Sequence, residues 1–263
     1  ARGAAGRGGR RVVKPAARQA LRIAALLLLS LLALQLVFAA RIALMAVVDP
    51  ASTSFQRSEA WRLLTTQGRI LWSQQWQPRA KISRQLERAV IASEDAGFTS
   101  HRGIEWEAVE KSWERNQRAV ERAERRAAQR PGQPPRPVSA RLVGGSTITQ
   151  QLAKNLLLSG ERTVLRKAQE AVLTLWLELF LDKGRILEIY LNHVEWGEGL
   201  FGAQAAARHY FRVDAAQLGA QQAARLAVML PAPKRFEKRP ASAYVLDRAA
   251  TIVARMGDVE LPP

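Results

Sequence analysis

GGSTITQQLAKN, residues 144–155, places a glycine pair and a run of hydroxyl residues ahead of a stretch with helical spacing. Ser146 or Thr147 can cap that helix by accepting one of its unpaired backbone N–H groups. Gln150 and Lys154 then share a face at a spacing of four, and Gln151 and Lys154 at a spacing of three. A polar turn, SGERT (159–163), leads into the strongly apolar helix LRKAQEAVLTLWLELFL (165–181). There Arg166 and Glu170 stand four apart, with Lys167 beside them and Arg162 one turn earlier. If the two helices pack face to face, Lys154, Arg162, Arg166 and Lys167 form a cationic ledge suited to the dense charge of a diphosphate. The same spacing also fits a solvated helical face with an ordinary Arg–Glu pair.

Outward from this pair the helical pattern continues. Leu86, Val90 and Ile91 fall on one face of RQLERAVIAS (84–93), and the polar break SEDAGFTSHRG (93–103) follows. Glu94 opens that break beside Asp95. A carboxylate held partly dry next to a second acid can serve as a general base; a helix-end acid satisfied by backbone donors reads the same in sequence. A second helix starts at Ile104 with Trp106, Val109 and Trp113, then turns Arg-rich, and 117–140 reads as a flexible loop. Beyond the ledge, KGRILEIYLNHVEWGEGLFG (183–202) reads as a helix and a Gly-rich loop. Three more helices follow in GAQAAARHYF, AQQAARLAVML and SAYVLDRAATIVARM. RILWSQQW (69–76) could be extended, but no alternating strand series exists, so the body is expected to be mainly α.

The N-terminal end is different. Residues 23–40 carry no charge, and the apolar run resumes after Arg41 to Val48, enough to span a bilayer as a helix. Seven basic residues and no acid lie before it in a tail, 1–22, which the positive-inside rule assigns to the cytoplasm. The body would then lie across the membrane, with 49–83 as a juxtamembrane segment and the folded domain from 84 to 263. Trp61, Trp72 and Trp76 suit either interfacial anchoring or ordinary packing. The net charge of +17 calls for an anionic partner, and the orientation argues against nucleic acid. Cysteine is absent, and His101, His193 and His209 lack ligand spacing, so no metal site of the zinc-hydrolase kind is expected.

Four segments in order resemble the peptidoglycan glycosyltransferases, in particular their monofunctional membrane-anchored form: EDAGFTSHRGIEW (94–106), GGSTITQQLAKN (144–155), RKAQE (166–170) and KGRILEIYLNHVEWG (183–197). The likeness runs from about Ala89 to Pro233. It implies a lysozyme-like, mostly helical domain on the periplasmic side of a bacterial inner membrane, elongating glycan strands from lipid II. In that scheme Glu94 deprotonates the acceptor's 4-hydroxyl, which attacks the donor's C1 with inversion to a β-1,4 linkage, and undecaprenyl pyrophosphate leaves. Lys154, Arg162 and Arg166 would hold the pyrophosphate, and Ser146, Gln150 and Gln151 would line the donor cleft. Glu170 would assist at the leaving-group side or hold the cleft together. The resemblance implies no tightly bound cofactor, though a divalent cation (Mg or Mn) could assist at the pyrophosphate. Partners would be lipid II, the growing lipid-linked strand, the membrane, and other cell-wall synthesis or division proteins. Glu105 stands where the family often has Asp, and Gln169 where some members have Lys. Neither S-x-x-K nor K-T-G occurs, so no transpeptidase activity is expected. The rival readings are a lytic enzyme that cleaves finished glycan and a non-catalytic scaffold.

Overall fold

Helix α1 (Pro15–Leu44) carries the uncharged run in a computed structural model that describes residues 15–128, 145–158, 160 and 163–263. The helix begins before the expected span of 23–48 and ends short of it. Met45, Ala46 and Val47 instead close i→i+3 turns onto Ile42, Ala43 and Leu44. Such tighter bonds satisfy the last carbonyls of a helix, and Pro50 disfavours helical geometry at Asp49 before it.

Two compact units divide between Arg41 and Ile42. In the first, the consecutive residues Leu26, Leu27, Leu28 and Leu29 are all exposed, so no protein core covers this helix. Its 28 residues from Ala17 to Leu44, with mean hydropathy 2.6, are long and apolar enough to cross a membrane.

The second unit starts at Ile42 and takes in residues 49–83, so the folded body begins well before residue 84. Helix α2 (Ser54–Gln67) opens on a reciprocal capping box between Thr53 and Gln56. Thr53, Gln56 and Leu63 are buried. Strand β1 (Ser73–Gln74) runs parallel to β3 (Leu200–Phe201), which is antiparallel to β2 (Glu195–Gly197), giving the order β1-β3-β2. The expected Gly-rich loop is therefore a small hairpin. Gly199 at its turn has φ +70°, and a Cβ there would lie 2.1 Å from the Leu71 carbonyl oxygen. Trp72 packs on Phe201 with ring centroids 5.0 Å apart, and Trp76 lies against His193 and the Arg185 guanidinium. Trp61 stays exposed.

The rest of the second unit is mainly α, as expected: α3 (Arg84–Glu94), α4 (Trp106–Ala128), α5 (Ile148–Leu157), α6 (Val164–Phe180), α7 (Lys183–His193), α8 (Ala203–Phe211), α9 (Ala220–Met229), the single turn α10 (Pro233–Phe236) and α11 (Ala243–Arg255). Helix α9 packs against both α3 and α11. Its buried Ala223, Ala224 and Ala227 let backbones approach closely, while Leu86, Val90, Val245 and Ile252 fill the space from either side. Helix α5 packs against α2, α6 and α7. Helix α4 reaches Ala128, so the loop expected at 117–140 is helical over its first part, and 129–140 lies outside the described residues. Exposed i,i+4 pairs, Lys111–Glu107 and Arg118–Glu114, support this helix where its apolar face has faded.

Candidate active site

The polar break after α3 is pinned to the start of α5. Asp95 is buried, and its two oxygens are both used. Oδ2 accepts from the Ile148 N–H at 3.0 Å, and Oδ1 lies 2.8 Å from His101 Nε2. His101 Nδ1 accepts from the Gly103 N–H at 3.1 Å, which leaves Nε2 as the protonated nitrogen that donates to Asp95. Thr147 caps α5: its hydroxyl accepts from the Gln150 N–H and donates to the Gly103 carbonyl oxygen, while Gln150 Oε1 accepts from the Thr147 N–H. Gly103 has φ +80°, and a Cβ there would come within 2.6 Å of Thr174. Between Ser146 and Thr147, the cap is therefore Thr147.

This clamp holds Glu94 at the last turn of α3 beside the first turn of α5. Its Oε2 accepts from Gln151 Nε2 at 3.0 Å and its Oε1 from the Ser93 hydroxyl at 3.4 Å. Of the two adjacent acids, Asp95 is the one satisfied by a backbone donor; Glu94 has neutral side-chain donors. Burial pushes the Glu94 carboxyl above its ordinary range. The bonds from Gln151 and Ser93 oppose that rise, the Asp95 charge adds to it, and Lys154 works against it. Gln151 is itself oriented, because its Oε1 accepts from the Tyr190 hydroxyl at 3.0 Å. Burial, helped by the charges of Glu94 and Asp95, pushes the Tyr190 hydroxyl well above its ordinary range, so it remains a donor.

From Gln151 the surface turns into a cavity of about 660 Å³. Ser146, Gln150, Gln151, Lys154, Arg166 and Glu170, all expected at the site, line it together, and Lys167 and Asn155 join them. Arg162 lies outside the described residues. Helices α5 and α6 do pack on each other, which brings the ledge into being. Glu170 is buried and clasped from both sides, accepting from Arg166 Nη1 at 2.9 Å and from Lys167 Nζ. Arg166 Nε is buried without a hydrogen-bond partner, so its guanidinium keeps donor capacity after pairing. Phe55, Val194, Glu195, Leu230 and Pro233 also line it. Sequence reasoning missed Tyr190, Glu195 and Phe55 as parts of this site.

Among the described residues one group has the spacing of metal ligands: Asp95, His101 and Glu105, with ligand atoms within 4.8 Å of one another. Both Asp95 oxygens and both His101 nitrogens already serve hydrogen bonds within the protein. That trio fits a structural clamp better than a cation.

The transglycosylase family matches residues 64–128 and 136–257, a span that includes every residue lining the cavity except Phe55. The chain is 49% identical over 232 residues to a biosynthetic peptidoglycan transglycosylase of Burkholderia thailandensis, covering 88% of this chain and 83% of that one. A protein of the same name from Burkholderia pseudomallei is 49% identical with the same coverage. Another from Bordetella pertussis is 49% identical over 214 residues, covering 81% of this chain and 82% of its own. A match across nearly all of the cavity's lining, with near-half identity over most of both chains, leaves one conclusion: the chain belongs to the transglycosylase family.

Proposed function

We propose that the protein polymerises peptidoglycan glycan strands from lipid II, with Glu94 as the general base. The acceptor's 4-hydroxyl gives its proton to Glu94, and its oxygen attacks the donor's anomeric carbon. The bond from that carbon to the pyrophosphate breaks with its electron pair leaving on the pyrophosphate oxygen. Attack opposite the leaving group turns the α-linked donor into a β-1,4 linkage. Lys154 and Arg166, with Arg162, receive the undecaprenyl pyrophosphate; stabilised in this way, the leaving group needs little protonation. Glu170 keeps Arg166 and Lys167 in place on that wall.

The observation that carries this reading is the double role of Gln151. One amide donates to a desolvated carboxylate and lines a cavity whose wall bears Lys154, Arg166 and Lys167. Gln151 thus joins the base, which lies behind it, to the recess that carries the cations, the pairing that glycosyl transfer from a lipid pyrophosphate needs and that cleavage of finished glycan does not. The names of the relatives support the synthetic direction. The apolar helix supports an anchor in the bacterial inner membrane, with the basic tail cytoplasmic and the body periplasmic, where both lipid-linked substrates diffuse in two dimensions. A divalent cation at the pyrophosphate is a separate proposal, checked by chelation.

The test is incubation of the detergent-solubilised full chain with lipid II, with polymer resolved on a gel. Polymer from the parent and none from Glu94→Gln is the expected result. Fragments released from finished peptidoglycan with no polymer from lipid II would overturn the reading.

A further inference from the structure

The lining of the cavity contains an acid with no assigned work. Glu195 opens β2, and its side chain is only 7% exposed. Its Oε1 is fully buried and has no hydrogen-bond partner. The nearest cation, Lys234 on α10, stands 3.6 Å from that oxygen and is held by Glu59 of α2. Glu59 also engages Arg62, which reaches on to Glu198. The Gly199 N–H supports the carboxyl from the hairpin turn, and Glu237 is occupied with the Glu198 N–H. Phe55, Val194, Leu230 and Pro233, which also line the cavity, are apolar. A buried polar atom without a partner costs free energy unless a ligand or a proton relieves it.

From this geometry, and resting on the functional reading above, we infer that Glu195 binds substrate as an uncharged carboxylic acid, its O–H donating to the acetamido carbonyl oxygen of an amino sugar lying across Phe55. An ionised Glu195 could only accept, and it would add a negative charge to a recess that receives a diphosphate. A neutral acid meets neither objection. Burial pushes the Glu195 carboxyl up to about 7; Lys234 opposes the rise and Glu59 adds to it. The protonated form is therefore populated at neutral pH and lost above it. A carboxylic acid kept neutral by an apolar site and used as a donor is established chemistry in other enzymes. In this chain it gives Glu195 the opposite requirement from Glu94: one must lose its proton to work, and the other must keep it.

Steady-state polymerisation of lipid II by the full chain from pH 6 to 9, with KM and kcat separated, tests this. For the parent, KM is expected to rise about tenfold between pH 6.5 and 8.5, the value of one lost hydrogen bond, while kcat holds. Glu195→Gln can donate at every pH, so its KM should stay near the parent's low value throughout. Glu195→Ala should show the high KM throughout. Lys234→Met removes the cation that favours ionisation and should move the rise to higher pH. A structural role alone would shift melting temperatures but leave the pH dependence of KM in place. A pH-independent parent KM, a rise that survives in Glu195→Gln, or an unchanged KM in Glu195→Ala would overturn the inference. If the parent polymerises nothing at any pH, the functional reading fails first, and that result is distinct from all of these.

Discussion

Glu94 and Glu170 are the same side chain withdrawn from water in two different ways. Glu94, at the end of α3, is held by an amide and a hydroxyl, donors that orient a carboxylate without cancelling its charge. Glu170, in the first half of α6, is clasped by Arg166 and Lys167, so its lone pairs are already committed to cations. Burial next to neutral donors raises basicity, whereas burial next to cations builds an electrostatic scaffold. The contrast teaches that withdrawal from water does not by itself define a catalytic acid or base; what satisfies the carboxylate does. Glu94 has the surroundings of a base, and Glu170 those of a brace.

The sharpest way to break that contrast is to remove each carboxylate in turn. Glu94→Gln keeps the volume and loses the proton acceptor, and kcat should fall about a thousandfold. Polymerisation by the parent should rise with pH through a value above the ordinary carboxylate range, because the proposed role requires Glu94 to be ionised. Stability carries the opposite sign. A carboxyl whose folded value is raised contributes stability below its unfolded value and loses it as pH climbs through the folded one. Glu94→Gln should therefore melt higher relative to the parent at pH 8 than at pH 5. A parent that gains stability relative to Glu94→Gln as pH rises would show that Glu94 is not desolvated in solution.

Glu170→Gln should act differently. It releases Arg166 and Lys167 from a shared partner that is almost wholly buried, so melting temperature and turnover should fall together. A drop of about thirtyfold in kcat/KM, equivalent to ~2 kcal/mol, is the expected size. The acid limb of the pH profile should stay where it is, because the base is elsewhere. If that limb disappears in Glu170→Gln while surviving in Glu94→Gln, the two roles are exchanged.

The brace was legible in the sequence and the base only half so. Arg166, Lys167 and Glu170 lie within five residues on one helix, where the spacing of three and four fixes who meets whom. Lys154 joined them once two amphipathic helices were read as packed. The partners of Glu94 lie far off in sequence: Gln151 is 57 residues away, and the Tyr190 that orients Gln151 is 39 further on. Such contacts belong to tertiary packing, which local periodicity does not encode. A signal for Tyr190 did exist. Tyr190 and Asn192 are polar-tipped residues set among the isoleucines and leucines of ILEIYLNH, an anomaly like the one that exposed the ledge in TITQQLAKN. The residues 49–83 were harder, because α2 has a weakly apolar face and β1 is two residues long; both are held by pairing with distant partners, as in Ser73 to Leu200. Glu195 left no trace, since an acid beside a tryptophan in a hairpin reads as a surface residue until its burial is known.

The smallest effect tests the relay behind Glu94. Tyr190→Phe deletes one hydroxyl from a fully buried position and changes little else, so the melting temperature should barely move. Gln151 would lose the donor on its Oε1 and with it the reason to keep its Nε2 towards Glu94. An amide free to turn would spend part of its time with its oxygen towards the carboxylate, which disfavours the ionised form. The acid limb of the pH profile should therefore move to higher pH, and kcat measured on that limb should fall about fivefold, in line with one hydrogen bond worth ~1 kcal/mol. A fall in kcat with the limb unmoved would mean that Tyr190 positions the helix and not the amide. A limb that moves while kcat on its plateau stays constant would show that the hydroxyl acts on Glu94 only through the orientation of Gln151.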